Sequence, residues 1–141
     1  MEMRDVRVNR LLGEIEESLR VAREMVSKNF DDFISDVRNR YTLRLALVEV
    51  VEAAVTLGLY ILRRRFNVKS VEGYVQVFRK LMEHGVIPSD VGRGMEALVR
   101  LRNLIIHRYW EVDDARIYKE AKENGLSLIE RFVEEVKKRA A

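Results

Sequence analysis

The chain reads as all-α: an antiparallel helical bundle of four principal helices plus a short C-terminal helix. Three observations predict this. Apolar residues recur at spacings of three and four through successive stretches, the period of a helix face. Punctuation is sparse, with one proline and seven glycines in 141 residues. No stretch alternates apolar and polar as a half-buried strand does. Hydrophobic residues make up 48% and charged residues 35%, a globular rather than a disordered mix. The length suits a single domain over residues 1–141 with a sizeable core.

The first helix is expected over residues 4–27. Val8, Leu11, Leu12, Ile15, Leu19, Ala22 and Val26 form its apolar stripe. Lys28-Asn29 ends it, and residues 30–36 read as a linker or short turn. The second helix, residues 36–66, is nearly all apolar from Leu45 to Leu62 and should be the central one. Its length would suit a membrane span, but Glu49 and Glu52 inside it argue against membrane insertion. Glu52, Thr56 and Tyr60 lie at i, i+4 and i+8, a polar seam facing a charged partner, water or a second subunit. Arg63-Arg64-Arg65 closes the helix, where its dipole favours cations; an RNA-binding role for them is secondary.

Ser70 is a candidate N-cap for a third helix running to His84, with Tyr74, Val77, Phe78, Leu81 and Met82 on its apolar face. Gly85 stops it, and His84 reads as a capping or exposed residue. Pro88-Ser89-Asp90 starts the fourth helix. Asp113-Asp114 marks an N-cap after a turn. Asn124-Gly125 reads as a break, and Ser127-Leu128-Ile129-Glu130 as the capping box of a last helix carrying Leu128, Phe132, Val133 and Val136.

The fourth helix carries the chemistry. On a helical wheel Met95, Leu98, Val99, Leu101, Leu104, Ile105 and Ile106 fill an apolar arc. Glu96, Arg100, Asn103 and His107 share the polar side, and Asn103 and His107 are i,i+4 neighbours. Arg102 projects into the apolar arc. A guanidinium cannot be neutralised, so there it needs an acid or a wet cleft; Glu52 and Glu49 are its candidate mates. Trp110 reads as a core anchor.

The segment Arg102-Asn103-Leu104-Ile105-Ile106-His107-Arg108-Tyr109 resembles the R-N-x-x-x-H-x-Y signature of the HEPN family, and within it the HepT-like toxins. Trp110-Glu111-Val112-Asp113 after it, Gly85-Val86-Ile87-Pro88 before it and the helix around Glu52-Ala53 extend the likeness over residues 44–121. The resemblance implies a metal-independent endoribonuclease toxin working as a homodimer. It also implies a minimal nucleotidyltransferase antitoxin that adenylylates the tyrosine of the motif, here Tyr109. The family often has a small residue where Arg108 stands.

The residue types suit that chemistry. Cleavage without metal needs a base for the ribose 2′-hydroxyl, an acid for the leaving 5′-oxygen and positive charge on the phosphorane. Histidine is available in both protonation states near neutrality, so His107 is the proton-transfer candidate. Arginine's planar fork holds two phosphate oxygens, the role expected of Arg102. Asn103 can orient the imidazole, and Tyr109 stands on the substrate side. One histidine cannot conveniently serve as base and acid in one turnover; two subunits supply two. Nucleotidyl phosphates on Tyr109 would put negative charge where an RNA phosphate must sit.

The remaining composition narrows the classes. Cysteine is absent, so there is no disulfide framework or thiolate zinc site, and a cytoplasmic location is expected. No His/Asp/Glu cluster has metal-ligand spacing, and no glycine-rich phosphate loop occurs. No metal and no cofactor are expected. The net charge of +3 permits an RNA substrate without requiring one. The charged N-terminus does not read as a secretory signal. Two other readings stand beside the nuclease: a non-catalytic HEPN module binding a nucleotide or a nucleotidyltransferase partner, and a structural helical adaptor.

Overall fold

The computed structural model describes residues 5–140. Helix α1 spans Val6–Ser27, capped by Asp5, whose carboxylate accepts from the Arg7 and Val8 amides. Its whole expected stripe is buried. Arg4, where the helix was expected to begin, lies outside the described residues. Phe30–Ser35 is not a linker but a short helix, α2, that buries Phe33. Six residues are too few for periodicity to show. The local signals are Asn29, which caps the Asp31 amide at 2.8 Å, and the acidic first turn of Asp31 and Asp32.

Helix α3, Val37–Phe66, is the central rod and buries residues from Leu43 to Leu62. It is long and apolar enough to cross a membrane, but two thirds of its most apolar window (67%) is buried against its neighbours. It ends at Asn67 in the left-handed conformation (φ 57°). Helix α4 spans Tyr74–Glu83 and does not start at Ser70. Gly73 sits at φ 81° just before it, a backbone that no helix can run through. Gly85, at φ 73°, turns the chain out of α4 as expected. Helix α5, Ser89–His107, follows Pro88. A 3₁₀ turn at Tyr109–Glu111 leads to α6, Asp114–Glu120, which Asp113 caps.

Asn124-Gly125 does not break the chain. Gly125 keeps helical dihedrals, and a π turn at Ala121–Gly125 absorbs the change of register, with the Leu126 amide donating to the Ala121 carbonyl. Helix α7, Leu126–Arg139, therefore continues from α6, and Ser127 caps nothing. The C-terminal part is longer than one short helix.

The fold is all-α, and most neighbours run antiparallel. Asp5 meets Tyr60 across α1 and α3, Arg79 meets Glu96 across α4 and α5, and Arg131 meets Asp90 across α7 and α5. Helix α4 advances along α3 in the same sense: Tyr74 stands by Glu52, Val77 and Leu81 by Gly58, and His84 by Phe66. One contiguous core, with Phe33, Phe78 and Phe132 fully enclosed, joins helices α1 to α7 of the described residues.

Candidate active site

The site is built where α3, α4 and α5 meet. Helix α5 buries its first half, through Val91, Met95, Leu98 and Val99. Its second half emerges: Leu101, Leu104 and Ile105 are only half-buried, and Ile106 is exposed. The apolar arc thus outruns the cover its own chain supplies. Glu96, placed on the polar side by the wheel, is buried instead, because α4 covers that side; its carboxylate accepts from Arg79 at 3.4 Å.

Arg102 points inward to a carboxylate. Its Nε donates to Glu52 Oε1 at 2.7 Å, and its side chain retains 19% exposure. Glu49 is exposed and lines a separate hollow with Glu14, Glu17 and Thr42 of α1 and α3. Glu52's other oxygen, Oε2, accepts from the Tyr74 hydroxyl at 2.8 Å. The Tyr74 ring lies under the guanidinium, 4.7 Å from Arg102 Cζ, a cation–π contact. The hydrogen bond to Glu52 holds the Tyr74 hydroxyl above its ordinary pKa, with burial and the Glu52 charge acting the same way, so it stays a donor. Read from sequence, Tyr74 was only part of an apolar face. The available signal was chemical: a tyrosine among core positions needs a partner for its hydroxyl.

Asn103 joins this inner cluster to the outer face. Arg102 Nη1 donates to Asn103 Oδ1 at 3.0 Å. Arginine has no acceptor, so the amide oxygen must face it, leaving the Asn103 NH₂ to donate elsewhere. His107 is exposed, the last residue of α5. Five residues of helix separate it from Arg102, about 7.5 Å of rise and about 140° of rotation. Their Cα–Cβ bonds therefore leave α5 on different sides. Tyr109 is not a further turn of α5, since the helix ends at His107 and Arg108 is its non-helical cap. Tyr109 is 63% exposed, and Trp110 beside it is 67% exposed, not a core anchor; the two rings meet edge to face at 5.3 Å. The 3₁₀ turn carries them away from the packed side. Arg108 is also exposed, 3.7 Å from Glu111.

The rest of the seam divides its roles. Thr56 bonds back to the Glu52 carbonyl, and Tyr60 donates to Asp5. His84 caps α4, exposed, and stacks on Phe66 at 4.4 Å. A groove of about 580 Å³ runs between α5 and the α6–α7 segment, lined by Gly94, Ala97, Leu98 and Leu128, but Arg102, Asn103, His107 and Tyr109 do not line it.

A family model described as Ribonuclease HepT-like matches residues 15–136. A comparison with curated protein sequences returns no match. Among solved structures, a tri-AMPylated HEPN toxin of Shewanella oneidensis in complex with an MNT antitoxin superposes with a TM-score of 0.86 at 17% identity, covering 96% of this chain and 99% of that one. A toxin–antitoxin crystallised with AMP-PNP gives 0.85 at 17% identity, over 95% and 99%. YutE of Bacillus subtilis, a cytosolic protein of unknown function, gives 0.67 at 14% identity, over 89% and 87%. At these identities the superpositions speak to the fold.

Proposed function

The chain belongs to the HepT-like ribonuclease family, and from that premise we propose a metal-independent endoribonuclease toxin whose site is completed by a second copy of the chain. A minimal nucleotidyltransferase antitoxin silences it by adenylylating Tyr109. One observation carries the reading: His107 and Tyr109 stand open at the end of α5 while Arg102, on the same helix, is held by Glu52. His107 of one subunit takes the proton of a ribose 2′-hydroxyl, and the oxygen attacks the adjacent phosphorus. The bond to the 5′-oxygen breaks, and a second imidazole protonates the leaving oxygen. The products are a 2′,3′-cyclic phosphate and a 5′-hydroxyl. Arg102 stabilises the charge that builds on the phosphorane.

The uncovered apolar surface supports the dimer. Tyr41, Leu45 and Leu59 on α3 and Ile106, Tyr109 and Trp110 around the end of α5 are all exposed. The antitoxin is supported by the company the superposed toxins keep: two of those structures are toxin–antitoxin complexes, one with an AMPylated toxin.

The test is cleavage of RNA by the purified protein in EDTA, wild type against His107→Ala. The expected result is cyclic-phosphate ends from the wild type and a loss of about 10²-fold or more in the variant. Equal cleavage by the variant removes His107 from the mechanism. Tight binding of a nucleotidyltransferase with no cleavage by unmodified protein replaces this reading with a non-catalytic module.

A further inference from the structure

Tyr74 lies on a different helix from the motif, yet it touches both members of the ion pair behind it. Its hydroxyl occupies one oxygen of Glu52, and its ring supports the guanidinium of Arg102. The consequence follows from how arginine and carboxylate normally meet. Their favoured arrangement is a fork, with Nε and Nη2 donating in parallel to the two carboxylate oxygens. Here Glu52 gives Oε1 to Nε, while its Oε2 is turned to the Tyr74 hydroxyl. Nη1 is engaged by Asn103. Nη2 donates no hydrogen bond among the described residues.

We propose that Tyr74 is a positioning residue: by drawing Oε2 of Glu52 toward its own hydroxyl it turns the carboxylate out of the fork and leaves the Nη2 corner of Arg102 for an RNA phosphate. This rests on the nuclease reading for its consequence, but not for its geometry. The charge of Glu52 orients Arg102, while the Tyr74 hydroxyl limits how much of the guanidinium that charge consumes. The ring fixes the plane in which the open corner points.

The hydroxyl can be removed without the ring. In Tyr74→Phe, Glu52 Oε2 is released and rotates onto Nη2, closing the fork. The variant keeps its helical circular dichroism, and kcat on RNA falls about 10²-fold, the lower end of the range for losing a donor to a developing oxyanion. KM changes less. Adding Glu52→Gln to Tyr74→Phe restores part of the lost kcat, because glutamine presents one acceptor oxygen and its NH₂ cannot close a fork on a guanidinium. A merely structural tyrosine predicts the opposite, a double variant worse than the single.

A second measurement does not depend on turnover. The ¹⁵N–¹H signals of the Arg102 guanidinium, assigned with Arg102→Lys, shift at Nη2 in Tyr74→Phe and return toward the wild-type position in the double variant. Unchanged Nη2 signals in Tyr74→Phe, or a double variant no faster than the single, overturn the proposal. Wild-type protein that cuts no RNA while the Nη2 signals move as described overturns the nuclease reading and leaves the pairing in place.

Discussion

Arg44 grips Asp114 with both arms of its fork: Nε and Nη2 donate to the two carboxylate oxygens at 2.8 and 2.6 Å. Seventy residues separate them in sequence. The pair ties the first turn of α6 to the early part of α3, and so fixes the far end of the segment that carries Tyr109 and Trp110. Both side chains are mostly withdrawn from water, at 17% and 11% exposure. Removing one member leaves the other charge stranded, with Arg40 at 3.6 Å as the carboxylate's remaining partner. Arg44→Met should therefore lower unfolding stability by about 3 kcal/mol, read from urea denaturation. Arg44→Met combined with Asp114→Leu should recover much of that loss, because neither charge is then stranded. A double variant that loses the sum of both single effects would show that the fork itself, not the orphaned charge, carries the stability.

The same contrast between what a residue needs and what answers the need separates the legible from the illegible in this chain. The stripe from Val8 to Val26 is dictated by period alone, and α1 buries all of it. Arg102 in an apolar arc announces that some acid must meet it. Which acid depends on how α5 sits against α3, and Glu49 and Glu52 differ by only about 60° around their helix. Tertiary placement decided the other misreadings too. Trp110 is a fine core residue by type, but a 3₁₀ turn carries it outward. Glu96 looked solvent-facing until α4 lay over it. The Asn124-Gly125 pair has the composition of a break, yet a widened turn keeps the helix going. The motif could be found in one dimension because four of its residues sit within eight. Tyr74 was harder to find, because its role exists only once α4 packs beside the Glu52–Arg102 pair.

Asp90 in the first turn of α5 pairs with Arg131 of α7, with Nη1 at 2.6 Å from its carboxylate. The hydrogen bond from Arg131 holds the Asp90 carboxyl below the ordinary aspartate value of 3.8, helped by the arginine's charge and by the Val91 amide. A carboxyl whose folded-state pKa is depressed contributes stability above its unfolded value. That contribution is lost as pH falls through the folded value. The difference in Tm between wild type and Asp90→Asn should therefore be widest near neutrality and shrink below about pH 4. Both side chains are about half exposed, so added salt should narrow it as well. A difference that stays constant from pH 6 down to about pH 3 would mean that the pair does not set it.

Gly58 lets α3 and α4 approach closely enough for Tyr74 to reach Glu52. A Cβ added there would stand 2.5 Å from Val77 Cγ1 and 3.1 Å from Leu81 Cδ1. Valine is stiff at χ1, and both neighbours are fully enclosed, so the helices themselves must part. Replacing a helical glycine by alanine gains about 1 kcal/mol in propensity. Overpacking costs about 1–3 kcal/mol. Gly58→Ala should therefore be net destabilising, by up to about 2 kcal/mol, and should lengthen the Tyr74–Glu52 bond. Gly92 is the control. The three atoms nearest to a Cβ there all belong to Met82, an unbranched, half-buried side chain that can swing aside. The propensity gain then offsets most of the crowding, and Gly92→Ala should fall closer to wild type in chemical denaturation. Equal losses from the two substitutions would show that the stiffness of Val77 is not what sets the spacing of α3 and α4.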